Sequence, residues 1–342
     1  LFSMLFGMGF AVMMQRAEVA GRPFLGLYLR RIGALLVIGL VHVAFIWSGD
    51  ILVTYALMGF LLGLLFRGTP QSRLPKWGAA LMLLPVAFMM LLGLVGTLMK
   101  ALPDEKRAGF DQAMAEQAQQ TAALIEAQRL AYGSGTFMEA TAQRLADFGM
   151  MMGFIVIFGA FILGLFLVGA WFTRSGAIAH PDQHPRVFAR LRWVVMPLGL
   201  AMVLASYWLV PTLDHASFDL VSVGAQMLQM LGGALMALGY LAWFVRGLQS
   251  AALGRFLGLL APAGRMALTN YLMQSLVCTW IFYGYGLGYF EQLPRAWQPL
   301  FVVVLFGLQV ALSHWWLARF RFGPMEWLWR AATYLQLPPM RR

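Results

Sequence analysis

The stretch Arg30–Arg67 reads RRIGALLVIGLVHVAFIWSGDILVTYALMGFLLGLLFR. Two arginines open it and one closes it. Between them lie two apolar runs, 32–48 and 51–66, joined at Ser48-Gly49. A helix needs roughly 17–25 apolar residues to match the hydrocarbon core of a bilayer, and both runs come close to that length. The tight turn folds them into an antiparallel hairpin that returns the chain to the side it left. Basic residues collect at one end of the hairpin, the turn at the other. Arginine and lysine remain on the cytoplasmic side of a membrane, so the pattern orients the hairpin as well as placing it.

The same alternation runs through the chain. Apolar segments recur near 1–14, 32–48, 51–66, 77–98, 148–172, 193–211, 221–244, 268–289 and 299–318. Every second loop, with the C-terminal tail, carries basic residues, together 19 of the 25 lysines and arginines. The intervening loops hold 11 of the 14 acidic residues. Hydrophobic residues are 61% of the chain and charged residues 11%, more apolar surface than a soluble fold of this length can hide. No period-2 alternation supports a β-barrel, and backbone polar groups must be satisfied within each span, so the spans are helical. The expected fold is all-α, a polytopic transmembrane helix bundle of about nine spans in this chain. The C-terminus is expected in the cytoplasm. The net charge of +11 is explained by topology, so nucleic acid is not an expected partner. The lone cysteine, Cys278, lies inside a span and allows no intramolecular disulfide.

Leu1 already sits in an apolar run, and 1–14 is short for a span at 1.5 Å per residue. With a cytoplasmic Arg16–Arg31 loop, an earlier helix is expected, giving about ten in the intact protein. One membrane domain is expected over 1–342. It carries a helical extracytoplasmic insert at 100–147, broken at Gly133-Ser134-Gly135, and an interfacial helix at 323–335. Glu326 and Arg330 are spaced as an i, i+4 pair on that helix.

Polar residues inside spans are costly and are therefore candidates for function. His42 lies about six residues, or about 9 Å, from the outer end of its segment. The hairpin brings it near Asp50, Thr54 and Tyr55. A histidine oriented by a carboxylate is what general-base catalysis needs; equally, His42 could pack against a backbone carbonyl while Asp50 caps a helix. Asn270, Gln274 and Cys278 share one helical face, with Tyr271 and Ser275 beside it. That face either joins helices or lines a polar cavity. Arg265 stands at its cytoplasmic mouth and suits a phosphate, or serves topology alone. Gln309, Ser313 and His314 precede Arg319 and Arg321. His215, with Asp214 and Asp219, lies in an outer loop. His180 and His184 sit beside prolines with no further ligand suitably spaced, so no metal is expected. There is no phosphate-binding glycine loop and no nucleophile elbow. The absence of midplane carboxylates argues against an ion-coupled transporter.

At these motifs the chain resembles the YeiB-type family of bacterial inner-membrane proteins. The resemblance rests on four stretches in order: LFSMLFGMGF from Leu1; the run from Arg30-Arg31 through Gly39, His42 and Gly49-Asp50 to Tyr55; Gly264-Arg265 through Asn270-Tyr271 to Gln274-Ser275; and the ending from Phe322 to Arg330. It implies a bacterial inner membrane, and a distant similarity to the transmembrane acyltransferases, which take an acyl group from cytoplasmic acyl-CoA to an acceptor on the other side. The Asn270-Tyr271 segment is similar to a Gly-x-Asn-x-x-x-Tyr segment of one such group, except that here Asn270 directly precedes Tyr271. That group's N-terminal Arg-Gly helix and the histidine-bearing stretch after it are not in this chain. This leaves open whether His42 is the catalytic histidine or a second polar group of the same cavity.

The expected function is transfer of an acyl (acetyl) group from acyl-CoA to a hydroxyl or amine acceptor. His42 and Asp50 would be catalytic. Trp47, Tyr55, Asn270, Tyr271 and Gln274 would bind substrate, and Arg265, Arg319 and Arg321 would hold the donor phosphates. The alternative is a non-enzymatic transporter or flippase for a lipid or amphipathic metabolite. Expected partners are the lipid bilayer and a small-molecule or lipid acceptor, with a homodimer left open.

Overall fold

A computed structural model describes residues 1–212 and 218–341. In chain order the helices are α1 (Phe2–Val19), α2 (Phe24–Phe45), α3 (Leu52–Leu65), α4 (Leu74–Lys100), α5 (Asp104–Gly133), α6 (Phe137–Arg174) and α7 (Pro185–Arg190). There follow α8 (Met196–Leu209), α9 (Leu220–Leu248), α10 (Ala251–Gly258), α11 (Ala261–Arg265), α12 (Ala267–Phe282), α13 (Gln298–Arg319) and α14 (Pro324–Tyr334). No strand forms among the described residues.

Among the described residues six helical runs are long and apolar enough to cross a membrane: 24–45, 71–100, 137–174, 185–209, 220–248 and 295–319. The sequence count of about nine included three further helices that are shorter or less apolar. α1 has 18 residues and ends in Arg16 and Glu18, α3 has 14 and α12 has 16. A 14-residue helix spans about 21 Å against roughly 30 Å of hydrocarbon. Large apolar side chains stay exposed along the long runs, among them Leu84 of α4, Val156 of α6 and Trp208 of α8. Surface of that kind would be an aggregation liability in water and is what a lipid-facing helix presents.

The chain forms two compact units. The first comprises 1–16, 66–123 and 157–250, and the second 17–65, 124–156 and 251–342.

In the first unit, small residues let helix backbones touch. A Cβ on Gly7 of α1 would overlap the carbonyl of Phe166 on α6, and one on Gly169 would overlap the carbonyl of Met4. α8 and α9 meet in the same way at Gly199 and Gly232, each 2.7 Å from the other's carbonyl when a Cβ is added. Met8, Phe172, Phe188 and Leu241 form a buried core around these contacts. A π turn at Leu191–Val195 joins α7 to α8 just before Pro197. Proline lacks an N–H and crowds the carbonyl four residues earlier, and the wider turn absorbs that defect. Asp219, read from sequence as part of an outer loop, caps α9: its carboxylate accepts from Ser222 N at 2.9 Å and pairs with Lys100 at 3.1 Å. These contacts hold its pKa below the usual carboxylate range, the Ser222 N–H first. Asp214 and His215 lie outside the described residues.

In the second unit, α2 and α3 form the expected hairpin, with the Tyr28 hydroxyl donating to the Gly59 carbonyl at 2.9 Å. α14 lies on α2: the Trp329 indole donates to the Arg31 carbonyl at 2.7 Å, and the Arg31 guanidinium sits 3.7 Å from the Trp329 ring centre. The expected Glu326–Arg330 pair does not form. Glu326 instead accepts from Thr269 N at 3.0 Å and Thr269 Oγ1 at 2.6 Å, tying α14 to the start of α12. Arg330 lies against the rings of Phe322 and Tyr334. Two neutral donors from a neighbouring helix fix a half-buried carboxylate better than a flexible exposed pair, which contributes only a few tenths of a kcal/mol.

Candidate functional site

His42 lies in the last turn of α2, and Asp50 stands two residues before α3. The apolar faces of the two helices fold together, so the intervening turn is short and both polar side chains are carried inward. Their side chains are 1% and 0% exposed. His42 Nδ1 and Asp50 Oδ1 are 2.9 Å apart. Asp50 Oδ2 accepts from Val53 N at 2.8 Å, so the same carboxylate also caps α3. Asp50 therefore both pairs with His42 and caps α3.

Tyr271 of α12 completes the cluster from far along the chain. Its hydroxyl donates to Asp50 Oδ1 at 3.1 Å and accepts from Ile51 N at 3.3 Å. With its other oxygen committed to Val53, Asp50 is an acceptor only, and His42 must present Nδ1–H to it. The lone pair then falls on Nε2. That atom is buried and, among the described residues, has no hydrogen-bond partner. A buried imidazole nitrogen left unpartnered is costly. It is also the group a general base requires. Tyr271→Phe deletes the hydroxyl while keeping the ring. The expected loss is about 1 kcal/mol of stability, read as an earlier thermal transition in detergent with the fold retained. No shift relative to wild type would show that the Asp50 contact is idle.

A cavity of about 730 Å³ opens beside the cluster. Its lining includes Trp47, Ser48, Tyr271, Gln274, Ser275 and Cys278, together with Gln128, Tyr132, Asp147, Tyr283, Phe290 and Glu291. His42 and Asp50 are not among its lining residues. The rings of Trp47 and Tyr271, which are, approach the His42 ring with centroids 6.4 and 5.2 Å away. Tyr55 is buried on α3 and does not line the cavity.

The face of α12 divides. Gln274 lines the cavity and donates to Gln309 at 2.7 Å. Asn270 points elsewhere, donating to the Ala263 carbonyl and to Ser313 Oγ, both at 3.1 Å. Gln309 in turn donates to the Asn270 carbonyl at 2.8 Å. Asn270, Gln309 and Ser313 thus bind α11, α12 and α13 together, the helix-joining alternative for this residue. Arg265 and Arg321 are adjacent, with Arg265 Nη2 donating to the Arg321 carbonyl at 3.4 Å. Arg319 lies against Trp315 and donates to its carbonyl at 3.0 Å. His314 is engaged with the Leu259 carbonyl at 2.8 Å.

Sequence reasoning missed the residues that 100–147 brings to this cavity. Asp147 accepts from Gln128 at 3.0 Å, Gln143 at 2.8 Å and Tyr132 at 2.5 Å. Tyr132 also bonds the Ser48 side chain, and burial together with Asp147 raises its pKa. Arg144 is completely buried, donating to the Ala44 carbonyl at 3.2 Å and to Thr141. The available signal was the absence of any proline between Gly135 and Arg174. It makes 137–174 one helix and carries the polar side chains of its first turns inward.

The fold and site define a multi-pass, all-α membrane protein with a buried His–Asp–Tyr cluster beside an aromatic cavity. The family described as "Protein of unknown function (DUF418)" matches residues 172–336. The chain is 35% identical to "Uncharacterized protein YxaH" of Bacillus subtilis (strain 168), over 100% of this chain and 80% of that protein. It is 30% identical to "Uncharacterized protein YeiB" of Escherichia coli (strain K12), over 97% and 80%. A protein of Bacillus acidopullulyticus, "Uncharacterized 39.9 kDa protein in amylase 3'region", is 23% identical over 98% and 79%. The chain belongs to this YeiB-type DUF418 family. No solved structure matches it.

Proposed function

We propose that the chain is a transmembrane acyltransferase that moves an acyl group from cytoplasmic acyl-CoA to a hydroxyl or amine acceptor at the extracytoplasmic side. The observation that carries this reading is the buried, unpartnered Nε2 of His42, with its tautomer set by Asp50. The thioester supplies an activated carbonyl. As the acceptor attacks that carbonyl, His42 Nε2 takes the acceptor's proton. Asp50 stabilises the imidazolium so formed, and Tyr271 holds Asp50 in place. The proton then passes to the departing thiolate, giving acylated acceptor and free CoA. Because His42 does not line the cavity, a side chain beside it, Trp47 or Tyr271, must move for the acceptor to reach Nε2.

Arg265, Arg319 and Arg321 suit the donor's phosphates. Arg265 and Arg321 are adjacent, and Arg265 and Arg319 each use a single N–H on a backbone carbonyl, leaving most of a five-donor fork for an anion. Gln274 and Tyr271, which line the cavity, would flank the acyl chain or acceptor.

The test is transfer of radiolabel from acetyl-CoA to endogenous acceptors in membrane vesicles containing the protein. Wild type is expected to transfer and His42→Ala to lose transfer. Full activity in His42→Ala would remove the histidine from the mechanism. Flux of an amphiphile into proteoliposomes without any acyl donor would favour the transporter reading of the same cavity.

We also propose nine crossings, with α1, α3 and α12 added to the six long runs, in a bacterial inner membrane with the C-terminus in the cytoplasm. Alkaline phosphatase fused after Ala118 is then active, and green fluorescent protein fused at the C-terminus fluoresces. The reverse result would invert the topology.

A further inference from the structure

We infer that the cavity selects an acceptor bearing a positively charged ammonium group, with Asp147 as its counter-ion. The inference rests on the reading that this cavity takes the acceptor, and it deepens that reading by naming a chemical class. Three observations carry it.

First, the lining contains two acidic side chains, Asp147 and Glu291, and no lysine or arginine. Second, all three donors to Asp147 are neutral: two amides and a phenol. Among the described residues no cation pairs with it. Arg144 lies one helical turn away but is turned to the Ala44 carbonyl and Thr141. Arg129 pairs with Glu291 at 3.2 Å, on the exposed side. Asp147 is thus a half-buried carboxylate without a contacting counter-charge, and a cation entering the cavity supplies one. Third, the walls beside it are aromatic. Tyr132, Tyr283 and Phe290 form one mutually packed group, and Trp47 and Tyr271 stand on the side next to His42. Ring faces attract an ammonium and impose no penalty on the alkyl chain attached to it. An anionic acceptor would meet the Asp147 carboxylate, whose charge no contacting cation among the described residues offsets. A neutral polyol would find one of the roughly four acceptor sites of Asp147 left by its three donors and would bring no charge to balance it.

Cys278 is the chain's only cysteine and lines the cavity, so it reports occupancy directly. The full chain in neutral maltoside detergent, with no acyl donor present, is labelled with N-ethylmaleimide, and the rate is followed by mass spectrometry. Hexyltrimethylammonium, hexyl glucoside and hexyl phosphate are compared as protectants. We expect the cation to slow labelling at concentrations at least tenfold lower than the other two. Asp147→Asn is expected to abolish most of that preference, and Glu291→Gln to reduce it less. Equal or better protection by the glucoside or the phosphate would overturn the inference. So would absence of protection by all three, or a preference unchanged in both variants. The ranking in wild type decides the matter even where Asp147→Asn does not fold. Because no donor is present, failure here leaves the acyl-transfer reading standing, and failure of acyl transfer leaves this result standing.

Discussion

On the proposed mechanism, Asp50→Asn is expected to lower acyl transfer about 100- to 10,000-fold, the range that general acid–base catalysis contributes, and to leave donor binding unchanged. The reason lies in the bonds Asp50 makes. It accepts from three donors: His42 Nδ1–H and the Tyr271 hydroxyl at Oδ1, and Val53 N–H at Oδ2. Asparagine offers one acceptor oxygen and one NH₂. With its oxygen toward His42, the NH₂ meets the Val53 N–H and the α3 cap is lost, at a cost of about 0.5–2 kcal/mol. With the amide reversed, the NH₂ faces Nδ1, and His42 must carry its proton on Nε2. The nitrogen that should act as base then has no lone pair. The first arrangement keeps the tautomer but removes the negative charge that stabilises the imidazolium, and the second removes the base; neither changes the volume of the pair. The check is a comparison of transfer rate with acyl-CoA affinity in the same preparation. A variant that transfers at the wild-type rate would show that the tautomer is irrelevant.

The largest effect on stability is expected at Gly7. A valine there drives its side chain into the Phe166 carbonyl, a backbone group that cannot rotate away. Overpacking typically costs about 1–3 kcal/mol, and a backbone-to-backbone contact should reach the top of that range, about 3 kcal/mol. Gly9→Val is the control. It lies two residues on, with nothing within 4 Å of an added Cβ, and should melt like wild type. Detergent melting curves of the two variants decide. Equal shifts would mean that α1 and α6 do not pack through this contact.

Much of the architecture was legible because a bilayer imposes simple rules. Apolar length and the alternation of basic and acidic loops locate the helices without any tertiary information. The count was less legible, since α3 is only 14 residues long and the sequence does not state how much flanking loop enters the membrane. At the site, His42 and Asp50 could be paired because they flank one short turn. Tyr271 could not be joined to them, because its contact with Asp50 spans 221 residues. Asn270 was assigned to the cavity because it shares a helical face with Gln274. The spacing gives that face but not how the helix is rotated against its neighbours, and Ser313 and Gln309 claim Asn270 instead. Asp147 was hidden by a polar segment whose composition resembles a surface helix. The inward-facing residues of such a helix are set by what packs on it, here Tyr283 and Phe290 against Tyr132.

The most direct test of the acyltransferase proposal is binding of acetyl-CoA and longer acyl-CoAs by the purified protein, with Arg265→Ala and His42→Ala beside wild type. The account predicts saturable binding by wild type, weaker binding by Arg265→Ala, and wild-type affinity in His42→Ala. A well-folded wild type that binds no acyl-CoA of any chain length would contradict it.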